Sequence, residues 1–233
     1  MIIKRESGII LSLDITDKEE LLDIAKDLSK YVDAIKIGNP TLYMCGINII
    51  KEIKKVTNLP VIGDFKFVDV PFITLTNISI LLKNNIDGIM LWGSVGRETL
   101  RRANKLIKKD DNMLFVITSF TCSDAQKYTD QYWQEFVNFA SEFETFGIQV
   151  PATKPHRIIQ ARNILKKEQK IICCGIGAQG PAPSSAIQVG ADWEIIGREI
   201  YDSVDPIKRA TEINNEIQYP NSALLTFDEF CKV

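Results

Sequence analysis

The sequence predicts an α/β chain folded as a (β/α)8 TIM barrel, on three observations. Eight short apolar runs recur along the chain, roughly 20 to 30 residues apart, and segments with helical periodicity separate them. The runs are apolar at nearly every position, as expected for strands of a parallel sheet covered by helices on its faces. Eight such units within 233 residues suit a closed barrel better than an open doubly wound sheet. The open sheet stays as the alternative, because periodicity does not reveal closure. The whole chain, 1–233, is expected to be one domain.

In chain order, Ile9–Leu13 is the first strand and Lys18–Tyr31 the helix after it. Ala34–Ile37 is followed by Pro40–Val56, Pro60–Phe65 by Phe72–Asn84, and Gly88–Trp92 by Glu98–Lys108. Leu114–Thr118 precedes Tyr132–Phe143, and Gly147–Val150 precedes Pro155–Lys167. Lys170–Cys174 leads through a glycine-rich turn to Trp193–Ile196, after which Pro206–Ile217 forms the last long helix. Each strand is short and rich in β-branched residues, and each helical segment carries an apolar stripe at intervals of three and four. The segment after Tyr219, ending in Leu225–Phe230, reads as a short helix with no chemistry in it.

Composition narrows the partners. A net charge of −2 leaves no basic surplus to track a nucleic-acid backbone or an anionic membrane, so a small molecule is the expected partner. The chain has no run of eighteen apolar residues, and its start lacks the pattern of a signal peptide, which predicts a cytoplasmic protein. Cys45, Cys122, Cys173, Cys174 and Cys231 make neither a paired framework nor a CxxC spacing and are read as reduced thiols. His156 is the only histidine, which argues against a zinc site or a Ser-His-Asp triad; it is expected to be solvated.

In a barrel, reactive residues gather at the C-terminal ends of the strands. The first run ends in Asp14, the second in Lys36, the third in Asp64 and Lys66, and the eighth in Gly197 and Arg198. A charged group closing an apolar strand must meet solvent, a partner charge or a ligand. A ring of surface ion pairs would account for any one of these residues, but less well for all of them. Asp64 and Lys66 lie two apart and so share a strand face pointing into the barrel mouth, while Phe65 and Phe67 turn to the packing side and Asp69 follows on the loop. The turn from Gly175 to Gly180 and the pair Gly197-Arg198 follow the last two strands, where barrels commonly seat a phosphate. Glycines let backbone N–H groups approach the anion and Arg198 can grip two oxygens, although a glycine-rich turn can also be an ordinary loop. The stretch from Gly180 to Ser184 is a candidate lid.

The run DFKFVDVP, residues 64–71, resembles the D-x-K-x-x-D-[IV]-P signature of the orotidine 5'-monophosphate decarboxylase family. SLDIT, DAIKIGNP, FVITSFT, VPATKP, GIGAQG and IIGREIY resemble the family's other segments in the right order along nearly the entire barrel. The resemblance implies decarboxylation of orotidine 5'-monophosphate to uridine 5'-monophosphate with no cofactor and no metal. It implies that Lys66 donates the proton to the pyrimidine, that Asp64 sits against the departing carboxylate, and that Lys36 and Asp69 complete an alternating charged network. It further implies a homodimer in which Asp69 reaches the neighbouring subunit's site. Substrate contacts are implied at Asp14, Lys36, Val70, Ile73, Thr121, Cys174, Gly177, Gln179, Gly197 and Arg198, with Asp14 and Lys36 at the ribose hydroxyls. Thr121 stands where the family generally offers a serine.

The sequence departs from the family pattern at Ile73, where a threonine is frequent and here falls at Thr74, at Trp92, where many relatives place histidine, and at Cys174, where proline is usual. The nearest rival is a sugar-phosphate enzyme of the same superfamily, a keto-gulonate phosphate decarboxylase or hexulose phosphate synthase. Those enzymes use magnesium and typically carry glutamate at the position of Lys36, and a lysine there repels a divalent cation. A barrel that grips phosphate without catalysing anything is the second rival, disfavoured by the intact Asp64, Lys66, Asp69 and Lys36.

Overall fold

A computed structural model of the chain describes residues 1–177 and 179–219. The short helix expected in the segment after Tyr219, and Cys231, lie outside the described residues. Eight strands, β1 (Ile9–Leu13), β2 (Ala34–Gly38), β3 (Val61–Phe67), β4 (Gly88–Trp92), β5 (Met113–Ile117), β6 (Gly147–Pro151), β7 (Lys170–Cys174) and β8 (Trp193–Ile196), pair in parallel in sequence order. β8 returns to β1 through Ile9 opposite Glu194 and Leu11 opposite Ile196, so the sheet closes and the open alternative is excluded.

Alternation along each strand divides the core into two layers. Ile9, Leu11 and Leu13 face outward with Ile35, Ile37, Val61 and Ile196, against the helices. Ile10, Ala34, Ile62, Met90, Phe115, Ile172 and Ile195 face inward and fill the barrel. The next inward position on several strands, one step nearer the C-terminal end, is no longer aliphatic: Ser12, Lys36, Asp64 and Cys174. The apolar plug therefore stops one layer below the rim, and a polar layer sits on it.

The helices are α1 (Lys18–Leu28), α2 (Asn39–Cys45), α3 (Ile49–Thr57), α4 (Pro71–Lys83), α5 (Arg97–Ile107), α6 (Trp133–Glu142), α7 (Pro155–Ile164), α8 (Ser185–Gln188), α9 (Arg198–Tyr201) and α10 (Pro206–Gln218). Asp17 and Asp205 cap α1 and α10 by accepting backbone N–H bonds from Glu20 and Lys208, and Pro71, Pro155 and Pro206 open their helices where no N–H is needed. The expected single helix Pro40–Val56 is two helices. Gly46 takes φ +72°, outside the helical region, so the chain turns there before α3 begins. Helices α8 and α9, one turn each, are too short to show a periodic stripe in the sequence. Among the described residues no helix is long and apolar enough to cross a membrane.

Candidate active site

At the C-terminal mouth of the barrel lies a cavity of about 260 Å³. Its walls come from nearly every strand end: Ser12 and Asp14, Lys36, Asp64 and Lys66, Met90, Ser119 to Thr121, Gln149, Cys174 to Ile176, Gln179, and Gly197 to Glu199 with Tyr201.

Four charges of alternating sign run across this mouth. Lys36 Nζ lies 3.1 Å from Asp14 Oδ2 and 3.7 Å from Asp64 Oδ2, and Lys66 Nζ donates to Asp64 Oδ1. Ser12 Oγ donates to Asp14 Oδ2 at 3.0 Å and so fixes the outer end of the row. Lys36 is only 7% exposed, so its ammonium depends on the two carboxylates for the solvation it has lost. Asp14 comes this close because residue 38 is glycine: a Cβ there would stand 2.3 Å from Asp14 Oδ1.

Lys66 reaches Asp64 by a route the strand pattern does not contain. Its backbone sits in the left-handed region at φ +52°, and the pairing of β3 with β4 shifts register between Gly63 and Phe67. Such a conformation is costly for a residue with a Cβ, and it re-aims the ammonium toward Asp64. The expected outward turn of the aromatics is observed: Phe65 is buried in the outer core layer and Phe67 packs against it.

Several expected site residues lie elsewhere. Asp69 does not line this chain's cavity; its carboxylate accepts the Val70 N–H at 2.7 Å on an exposed loop. Val70 and Ile73 also stand off the cavity, exposed beside Val68 and Phe72. They belong to the junction between the loop after β3 and the start of α4. The alternating row within this chain therefore ends with Asp14 rather than Asp69. Thr74 is buried, and its Oγ1 donates to the Asp69 carbonyl at 3.0 Å, bracing that loop. Gly177 does not line the cavity either: at φ +71° it packs against Glu199, where a Cβ would lie 2.7 Å from the Glu199 Cβ. Asp14, Lys36, Asp64, Lys66, Thr121, Cys174, Gln179, Gly197 and Arg198 all line the cavity.

The structure adds residues the sequence reading passed over. Gln149 is buried on the inward face of β6, and its Nε2 lies 2.9 Å from Cys174 Sγ across the cavity floor. Its signal was present, as a polar residue inside an apolar run. Burial, and then the charge of Asp64, pushes the Cys174 thiol up to about 11, so it stays protonated beside the charged row. Tyr201 comes from the unexpected helix α9, and burial raises its phenol above the ordinary range.

Phe120, next to Thr121 at the rim, is held by a buried ion cluster. Lys154 Nζ donates to Asp130 and, at 2.7 Å, to the Phe120 carbonyl; Arg157 lies 2.9 Å from the same aspartate and 5.2 Å from the centre of the Trp133 ring. These residues meet only through the fold. His156, next to the cluster, is exposed as expected, and partial burial with Arg157 and Lys154 lowers its pKa. Cys45, Cys122, Cys173 and Cys174 are free thiols. No three His, Cys, Asp or Glu side chains converge as a metal-binding group among the described residues.

The chain is similar to known proteins along this whole frame. Residues 7–213 match the family model described as Orotidine 5'-phosphate decarboxylase / HUMPS family. An orotidine 5'-phosphate decarboxylase of Methanosarcina mazei is 35% identical over 215 residues, 92% of this chain and 97% of that protein. One of Thermococcus kodakarensis is 35% identical over 212 residues, 91% of this chain and 97% of that protein. Among solved structures, the Methanocaldococcus jannaschii orotidine 5'-monophosphate decarboxylase complexed with inhibitor BMP superposes with a TM-score of 0.84 at 31% identity, covering 90% of this chain and 97% of that one. The orotidine 5'-phosphate decarboxylase of Pyrococcus horikoshii OT3 gives a TM-score of 0.83 at 30% identity, covering 90% and 99%. With a family model spanning most of its length and relatives above 30% identity covered almost end to end, this chain belongs to the Orotidine 5'-phosphate decarboxylase / HUMPS family.

Proposed function

We propose that the chain, residues 1–233 acting as one barrel domain, decarboxylates orotidine 5'-monophosphate to uridine 5'-monophosphate in the cytoplasm, as a step of pyrimidine biosynthesis. The observation that carries this reading is the row Asp14, Lys36, Asp64, Lys66 across the cavity at the barrel mouth. Breaking the bond between C6 and the carboxylate carbon releases carbon dioxide and leaves the electron pair on C6, in the plane of the ring. No ring carbonyl delocalises that pair directly, so a fixed positive charge nearby stabilises it most effectively. Lys66 supplies that charge and then its Nζ proton, which forms the new C6–H bond; the neutral amine regains a proton from water. Asp64 holds Lys66 in place and faces the departing carboxylate, and Lys36 with Asp14 contacts the ribose hydroxyls. Arg198, Gly197 and Gln179 take the phosphate, and Thr121 and Cys174 flank the pyrimidine.

No metal or cofactor enters this reading. Two ammonium groups lie among the carboxylates of the row, and they repel the divalent cation that a sugar-phosphate enzyme would hold there. The deciding measurement is the absorbance of orotidine 5'-monophosphate on adding purified protein in excess EDTA. Loss of the orotate band supports the reading; a stable band, or turnover that only added magnesium restores, overturns it.

We assign a homodimer with shared sites as well. The support is the exposed apolar face made by Val68, Val70, Phe72 and Ile73, which carries Asp69 beside it. Contiguous exposed apolar surface on a soluble barrel marks an association site. In a two-fold assembly Asp69, with Val70 and Ile73, would complete the partner's cavity. Mixing Lys66→Ala with Asp69→Ala chains should then restore activity that neither has alone, through the heterodimer's one intact site; no restoration after subunit exchange would count against sharing.

A further inference from the structure

Glu194 is completely buried, yet it does not face the cavity. On β8 it alternates with the inward Trp193 and Ile195 and points outward with Ile196, a position at which the other strands carry aliphatic residues. A carboxylate placed there is costly unless donors replace its water. The donors are three backbone N–H groups: Ser184 to Oε2 at 2.8 Å, and Ala186 and Ile187 to Oε1 at 2.8 and 3.4 Å. Burial raises the carboxyl above its ordinary value, and these N–H groups offset part of that rise.

The segment so gripped is the far end of the turn after β7. Ser184 is itself in the left-handed region at φ +70°, held there by Glu194 and by Gln188, whose Nε2 donates to Ser184 Oγ at 2.9 Å. From this anchor a run of hydrogen bonds leads back toward the cavity. Ser185 Oγ donates to the Ala182 carbonyl at 2.6 Å, and the Gly177 N–H donates to the Pro181 carbonyl at 2.8 Å. The Gly180 N–H closes on the Gly177 carbonyl at 2.9 Å, which leaves Gln179 at the tip, lining the cavity together with Arg198. Glu194 on β8 and Arg198 at the start of α9 stand four residues apart on one continuous stretch, so the same strand end leads to the cation and carries the brace of the facing turn.

We infer that Glu194 is a positioning residue for anion recognition: it fixes the return leg of the β7 turn so that Gln179 faces the same anion as Arg198. This rests on the assignment of the phosphate to Arg198, Gly197 and Gln179. Glu194 touches no substrate and acts only through the backbone it holds.

The test is Glu194→Gln, which keeps the size but offers one acceptor oxygen and turns an NH2 toward N–H donors. The expected result is uridine 5'-monophosphate binding weakened about tenfold, with uridine binding within about twofold of wild type, both by calorimetric competition, because only the phosphate uses the braced turn. In turnover, KM should rise by a similar factor while kcat stays within about threefold. Equal weakening of nucleotide and nucleoside, or no change in either, overturns the inference. If the glutamine variant does not fold, Glu194→Asp, which keeps the charge but loses reach, carries the same expectations. A wild-type protein that binds uridine 5'-monophosphate but leaves orotidine 5'-monophosphate intact overturns the functional reading alone, since the nucleotide-to-nucleoside comparison still decides the role of Glu194.

Discussion

Lys66 and Asp64 illustrate how much one side chain's work depends on its immediate neighbours. Lys66→Ala removes the ammonium bonded to Asp64 Oδ1, and turnover should fall by roughly a thousandfold or more, as for loss of a preorganised electrostatic contact. Binding of the product nucleotide should be partly retained, because the proposed phosphate contacts remain. A variant with a near-normal rate in the orotate absorbance assay would remove Lys66 from its role. Cys174 gives an independent probe of the same charges. With its thiol pushed up to about 11 by burial and Asp64, alkylation at neutral pH should be slow and should rise with pH until that value is reached. At pH 8 the thiolate fraction is about one part in a thousand, so exposed Cys122 should label first in a site-resolved mass-spectrometric time course. Asp64→Asn removes a charge that raises the thiol and should accelerate labelling of Cys174; an unchanged rate would mean that the carboxylate does not reach the sulfur electrostatically.

Among the elements, the loop after β5 is placed by a cluster of buried ions. Asp130 holds both Lys154 and Arg157 in the interior, and Lys154 in turn holds the Phe120 carbonyl next to Thr121. Asp130→Ala leaves two cations without their counter-charge, and a loss of roughly 3–5 kcal/mol in unfolding free energy is expected from denaturant midpoints. The exposed pair Lys166–Glu144 makes the contrast: breaking it should leave the midpoint unmoved, because water already solvates both ends. Equal shifts for the two variants would show that burial does not separate them.

For the whole molecule, the closed barrel sets one rim on which all the strand ends meet, and it leaves the apolar face of Val68, Val70, Phe72 and Ile73 outside. Val70→Asp places a charge on that face without touching the cavity of its own chain. Light scattering should then report the 26.3 kDa chain mass in place of twice that value, with activity falling as the partner's Asp69 is withdrawn. A variant that remains dimeric and fully active would place the subunit contact on another surface.

The barrel was legible in the chain because burial on both faces leaves a local mark: a strand that must be apolar at every step, repeated eight times. The rim residues Asp14, Lys36, Asp64 and Arg198 were legible for a related reason, since a charge ending such a run is costly unless it has a task. Gln149 carried the same mark inside its strand. What local sequence does not encode is the pairing of residues far apart in the chain. Closure of β8 onto β1, the meeting of Asp130 with Lys154, and the grip of Glu194 on Ser184 and Ala186 are contacts chosen by packing in three dimensions. The same holds for the left-handed turn at Lys66 and the break at Gly46: backbone conformation there answers to the neighbouring strand and loop, and no side-chain periodicity records it.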